Sequence, residues 1–295
     1  MEAGCWQTLR LGAIFVPGQA VLGWRLASAA ASSLFFFEVR HPGDAVSLLE
    51  KSREDVSMRR RVSRRSIMLG AIIGDMVGSP YEFHPWQGPA EAFPLFSPRS
   101  RFTDDTVMTV AVARGLMQAY GQEQACREAF IDAMHEYGRA YSRAGYGQRF
   151  FRWIVTGSRE PYNSFGNGSA MRVSPVGWAC DSLEETERYA ALSASVTHDH
   201  PEGIKGACAT AAAIFLARDG AGRDAIRDYV SSRYGYDLAR SLAEIRPAYR
   251  HKESCQESVP EAIIAFLEAV PSRRPYAMPS GWAVTATRRP PSPGA

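Results

Sequence analysis

The sequence lacks the spacings that would point to a disulfide framework or a zinc site. It has five cysteines in 295 residues, Cys5, Cys126, Cys180, Cys208 and Cys255, an odd number at wide intervals with no CxxC pair. That usage fits a reducing compartment and predicts a cytoplasmic protein. Long clean apolar runs are also missing. Residues 11–37 are apolar only in patches, interrupted by Pro17, Gly18, Gln19 and Arg25, so no membrane span is expected. Arg10 ahead of an apolar stretch could be read as a signal peptide, a weaker reading than a cytosolic chain. Charge of one sign is nearly absent in excess: the net charge is +3, too slight for a nucleic-acid binder. Much of the basic excess sits in Arg59, Arg60, Arg61, Arg64 and Arg65, which read as a solvated linker. Strand-like alternation and internal repeats are missing as well.

What is present is helical periodicity, and it begins near Met68. Residues 1–67 carry no sustained period and read as a disordered or non-native extension. The texture then changes at MLGAIIGDMVGSPYEF. A helix is predicted after Asp104-Asp105-Thr106, ending at Gly121, and another over Glu123–Arg139. Leu183–Val196 follows, with Asp181 or Ser182 as its N-cap. Pro201–Arg218 is Ala-rich and suits close packing. Ala221–Ser232 and Pro260–Ala269 complete the set, with Pro201 and Pro260 read as helix starts. These patterns give an all-α chain, a multi-helix bundle with its functional residues on connecting loops.

Four stretches carry candidate chemistry. FTDDTVMT, Phe102 to Thr109, sets two adjacent carboxylates beside hydroxyls at a helix start. Hard oxygen ligands of this kind suit Mg²⁺ or Mn²⁺. The plain alternative is an acidic N-cap favoured by the helix dipole. GDMVGSPYE, Gly74 to Glu82, adds Asp75 and Glu82, or is simply a glycine-containing turn with surface acids. GNGSAMRVSP, Gly166 to Pro175, has small residues that let a phosphate approach backbone amides, or is an ordinary turn ahead of a helix. THDHPEGIKGA, Thr197 to Ala207, places His198 and His200 where they either bind a ligand or cap the helix at Pro201.

Taken together, GDMVGSPYE, FTDDT, GNGSAMR and THDHPEG resemble, in order and rough spacing, the ADP-ribosylglycohydrolase family. The resemblance covers residues 68–269, and the combination is far more specific than any one piece. It implies a compact orthogonal helical bundle holding two Mg²⁺ ions (Mn²⁺ as a substitute) at the base of an ADP-ribose cleft. By resemblance, Thr103, Asp104 and Asp105 match the first metal-ligand group, and Glu82 matches an acid beside the metals and the ribose. Catalytic candidates are thus Glu82, Asp104 and Asp105. Asn167, Gly168, Ser169 and Met171 lie in the loop that resembles the diphosphate-binding one, and His198 is similar to a histidine lining the same cleft. The implied partner is an ADP-ribosylated protein or small molecule, with the acceptor linkage and the oligomeric state open. No nucleic acid or membrane is expected.

The chain departs from the family at its C-terminus, where the second ligand group, GGDSDT, is absent. Residues 270–295 are proline-rich and aperiodic. A one-nucleotide change of frame lets the codons of Trp282 to Arg288 encode Gly-Gly-Asp-Ser-Asp-Thr, with helical flanks. The tail therefore reads as a frameshift arising near Ala269 to Ser272. As written, the chain keeps half of a dinuclear site, and weak Mg²⁺ binding is the expectation. An inactive remnant that only binds ADP-ribose is the alternative to a hydrolase.

Overall fold

The computed structural model describes residues 70–83, 86 and 93–269. The expectations for residues 1–67, for the tail 270–295 and for the reading frame there lie outside the described residues. Within them the chain is all-α. No strand occurs among the described residues, apart from an isolated antiparallel bridge between Gly166 and Ser254.

Residues 70–78 are helical (α1) and run into a 3₁₀ turn, Ser79–Tyr81. Then come α2 (Asp104–Ala119), α3 (Glu123–Ala140), α4 (Gln148–Thr156), α5 (Gly168–Met171), α6 (Ser174–Ala179) and α7 (Leu183–Ser195). The chain continues with α8 (Pro201–Arg218), α9 (Arg223–Tyr234), α10 (Leu242–Ile245) and α11 (Cys255–Ala269).

The helix α2 forms because its first turn is capped and its apolar positions fall on one face. The Thr103 side chain accepts from the Asp105 N–H, and Asp104 and Asp105 oppose the positive end of the helix dipole. Val107, Met108, Ala111, Val112 and Leu116 recur at helical spacing and are buried. A three-residue link then sends α3 back along α2, and Cys126, Phe130, Ile131 and Met134 meet that face.

Apolar residues on every side make α8 the centre of the molecule, with an unbroken buried run from Gly206 to Ala217. One hydrophobic cluster includes α2, α3, α4 and α7 with part of α8; the other includes α8, α9 and α11. Small residues let the neighbours approach closely. A Cβ on Gly206 would lie 2.4 Å from Cys255 Sγ, so α11 can pack here only against a glycine.

The helix Pro201–Arg218 has the bounds expected from sequence, and Ser182 is the cap of α7, accepting from the Glu185 N–H. Two expectations need correction. Helix α11 starts at Cys255, and Pro260 lies inside it, where it costs one backbone hydrogen bond. Burial offsets that loss, because Cys255, Val259, Ile263 and Phe266 continue one apolar face across the proline. The glycine-containing turn with surface acids is overturned for GDMVGSPYE in part: Asp75 is helical and buried.

Candidate functional site

The four stretches converge on two adjoining regions, joined by α5. The first is the head of α2. Asp75 projects from α1 and accepts four hydrogen bonds from the α2 entry. Its Oδ2 accepts from the backbone N–H groups of Thr103 (2.7 Å) and Thr106 (3.2 Å) and from the Thr106 hydroxyl (2.5 Å). Its Oδ1 accepts from the Thr103 hydroxyl at 2.7 Å. Asp105 Oδ2 is the farther acceptor for that hydroxyl, at 3.3 Å, so the proton goes to Asp75, and the Thr103 oxygen keeps one lone pair besides the one that accepts from the Asp105 N–H. Thr103, Asp104 and Asp105 are all buried.

Two further segments close this corner. The Asp104 N–H donates to Ala144 C=O (2.9 Å), tying the loop between α3 and α4 to α2. Beyond it stands Tyr146, whose hydroxyl has no hydrogen-bond partner among the described residues. Burial, and secondarily the Asp104 charge, push the Tyr146 phenol well above its ordinary value, so it stays protonated. The Arg101 N–H donates to Ser79 Oγ (3.1 Å), pinning the turn that precedes Glu82 beside the strand-like approach to Thr103. Glu82 is partly buried there.

The second region surrounds α5. Thr109, one turn along α2, donates to Met171 C=O at 3.5 Å, which links the two regions. Asn167 is a brace for the chain: its N–H donates to Glu253 C=O (2.7 Å), and Nδ2 donates to Lys252 C=O and Ser258 Oγ (both 3.2 Å). Ser169 is wholly buried and donates to Gly203 C=O at 2.7 Å. The Asn167 amide nitrogen and the Ser169 hydroxyl are thus engaged by protein, and Gly168 brings the backbone within reach of a ligand. Gly168 faces His198: a Cβ there would lie 3.1 Å from His198 Nε2.

The THDH pair divides its labour. His200 is the N-cap of α8, accepting from the Glu202 N–H at 3.1 Å. His198 is buried, with Nδ1 2.8 Å from Thr197 Oγ1. Burial, then the charges of Arg172 and Arg149, hold the His198 imidazole well below its ordinary value, so it is neutral at physiological pH.

Sequence reasoning placed Thr103, Asp104, Asp105, Gly168, Met171 and His198 around these regions but missed what holds them. Asp75 was noted only as an extra carboxylate. Arg172 ends the GNGSAMR run and is 1% exposed. Its Nη2 donates to Ser193 C=O (2.9 Å) and Thr197 Oγ1 (2.8 Å). Burial lowers its guanidinium to about 10, which leaves it a cation. For Asp75 a signal was available, a carboxylate within the apolar run that opens the helical part of the chain; for Arg172, at the end of a short turn, there was none.

The donor set at α2 suits a hard divalent cation in kind, since it offers only carboxylate and hydroxyl oxygens. Among the described residues no group of three or more His, Cys, Asp or Glu side chains gathers in a metal-binding arrangement. Thr103, Asp104 and Asp105 therefore fit as part of a coordination shell. No helix among the described residues is long and apolar enough to cross a membrane.

A family model described as ADP-ribosylglycohydrolase matches residues 57–288. Among curated proteins, ADP-ribosylhydrolase ARH3 of Mus musculus is 31% identical over 198 residues, 56% of this chain and 51% of that protein. ADP-ribosylhydrolase ARH3 of Homo sapiens is 32% identical over 195 residues, 55% of this chain and 52% of that protein. An uncharacterized protein of Archaeoglobus fulgidus is 30% identical over 168 residues, 51% of this chain and 54% of that protein. The chain spans about half the length of the curated relatives it matches.

Proposed function

The chain belongs to the ADP-ribosylglycohydrolase family, and from that membership we propose that it removes ADP-ribose from a modified protein or small molecule by hydrolysing the N- or O-glycosidic bond. The observation that carries the reading is the buried Thr103-Asp104-Asp105 entry to α2, clamped by Asp75 and joined through Thr109 and Met171 to the Gly168–His198 region.

In this reading Thr103, Asp104 and Asp105 would hold Mg²⁺. When bound, the cation would supply charge neutralisation and polarisation of ribose hydroxyls and water. Asp75 fixes the backbone of these ligands before any cation arrives, which lowers the ordering cost of binding. Water attacks the anomeric carbon as the bond to the acceptor breaks through an oxocarbenium-like state. Glu82 or one of the paired aspartates takes the water proton, and that proton is passed on to the acceptor as it leaves, which restores the carboxylate. His198 and the backbone around Gly168 hold the ADP-ribose portion.

The test is incubation of the full chain with arginine- and serine-linked ADP-ribosyl peptides, with Mg²⁺ and with chelator, followed by mass spectrometry. Cation-dependent release of free ADP-ribose supports the reading. Binding of ADP-ribose without release would make this chain a binder, and release of AMP would mean that the diphosphate is cut instead.

A further inference from the structure

Arg172, Thr197 and His198 form a chain of contacts whose proton positions follow from counting donors. A guanidinium only donates, so Thr197 Oγ1 accepts from Arg172 Nη2 at 2.8 Å. Thr197 is wholly buried, and its own hydroxyl proton needs an acceptor. Among the described residues the acceptor within reach is His198 Nδ1, at 2.8 Å. Were Nδ1 protonated, the hydroxyl proton would be stranded in the interior. The ring proton must then sit on Nε2.

No protein group hydrogen-bonds Nε2 among the described residues, and Nε2 occupies the space beside Gly168, 3.1 Å from where a Cβ would be. We propose that Arg172 and Thr197 are positioning residues that lock His198 in the Nε2–H tautomer, a neutral donor presented at Gly168 to an acceptor oxygen of bound ADP-ribose. The ligand in this statement rests on the function proposed above; the tautomer does not.

The surroundings favour the arrangement. Arg172 lies over the Phe150 ring, 5.7 Å from its centre, and Arg149 lies over the Tyr162 ring at 4.9 Å. Both cations oppose a second positive charge on His198, and the Tyr162 ring lies 6.0 Å from the imidazole. Asp199, next in the chain, turns its carboxylate to the Asn163 N–H at 2.7 Å, and Glu202, in the first turn of α8, pairs with Lys205. Cys255, at the start of α11, stays a thiol because burial pushes it up to about 12. Each partner that faces this histidine therefore favours the neutral ring or leaves it unchanged.

The deciding experiment is nitrogen NMR of the imidazole rings in the full chain, with the His198 signals assigned by His198→Gln, alongside calorimetric titration with ADP-ribose. The expected wild-type spectrum shows a protonated Nε2 and a bare Nδ1 at about pH 8 and still at about pH 6.5, where an ordinary histidine is half protonated. Thr197→Val should mix the tautomers and weaken ADP-ribose about tenfold, roughly one hydrogen bond to a charged ligand, and Thr197→Ser should restore both. A protonated Nδ1 in the wild type, an imidazolium near neutrality, or a Thr197→Val protein that binds as tightly as wild type overturns the proposal. Should the wild type fail to bind ADP-ribose at all, the functional reading falls, and the spectrum alone decides the tautomer.

Discussion

The two regions on either side of α5 bury charge of opposite sign and hold it differently. At the head of α2, Asp75 meets four donors from a single turn of chain, two of them backbone amides. Its charge is spent inside the protein, organising Thr103, Asp104 and Asp105. Behind α5, Arg172 is more deeply buried, yet it donates only to a carbonyl and a hydroxyl, and its Nε has no partner among the described residues. A buried cation without a carboxylate beside it is an expensive feature for stability alone. The difference teaches that the acid is chiefly structural, whereas the arginine's place is explained, in the proposal made above, by what it does to Thr197 and through it to His198.

The largest effect that would test this contrast is Asp75→Ala. It strands four donors and should cost about 3–5 kcal/mol, lowering the melting temperature on the order of 10 °C. A melting curve close to that of the wild type would remove Asp75 from its role as a clamp. Acidification comes next. His198 and His135 are both buried and held below the ordinary histidine value, mainly by burial. Their unfolded forms bind protons first as pH falls below about 6.5, so stability falls with pH there, by at most about 1.4 kcal/mol per unit for each histidine. Urea midpoints at about pH 7.5 and pH 5.5 measure the slope, and a flat profile would mean that neither ring is truly neutral and buried.

Arg172→Met should sharpen the contrast from the other side. It removes a desolvated cation along with two hydrogen bonds, so the stability change should stay within about 1 kcal/mol while ADP-ribose affinity drops tenfold or more. A stability loss as large as that of Asp75→Ala would make the arginine a structural tie instead. The smallest effect is expected for His200→Ala, which removes the cap on Glu202 N–H and should cost about 0.5–1 kcal/mol without changing ADP-ribose affinity. A change in affinity there would merge the roles of the two histidines.

The long helices were legible because their apolar positions recur at 3.6 residues and their caps are marked, as with Ser182 and Pro201. Helix α4 was not, although Phe150, Trp153 and Ile154 form its buried face. Its sequence, QRFFRWIVT, is rich in aromatic and β-branched residues that favour helix weakly, and only tertiary packing settles its state. Pro260 misled for a related reason, since a proline that starts one helix elsewhere is here tolerated inside another. For the site, the residue types were readable but their partners were not. Nothing in the order of residues says that Asp75 reaches across to Thr103 and Thr106, or that Arg172 meets Thr197, because these pairs are made by the packing of α1 on α2 and of α5 on α7.

Among the described residues four buried thiols, Cys126, Cys180, Cys208 and Cys255, are distributed over α3, the end of α6, α8 and the start of α11. Burial pushes them up, Cys126 to about 11 and the other three to about 12, so none reacts while its surroundings stay closed. Each is a clock set into a different part of the bundle: the rate at which it takes up an alkylating reagent counts how often that part opens. The chain thus carries its own map of local breathing, readable by mass spectrometry without adding a single label site.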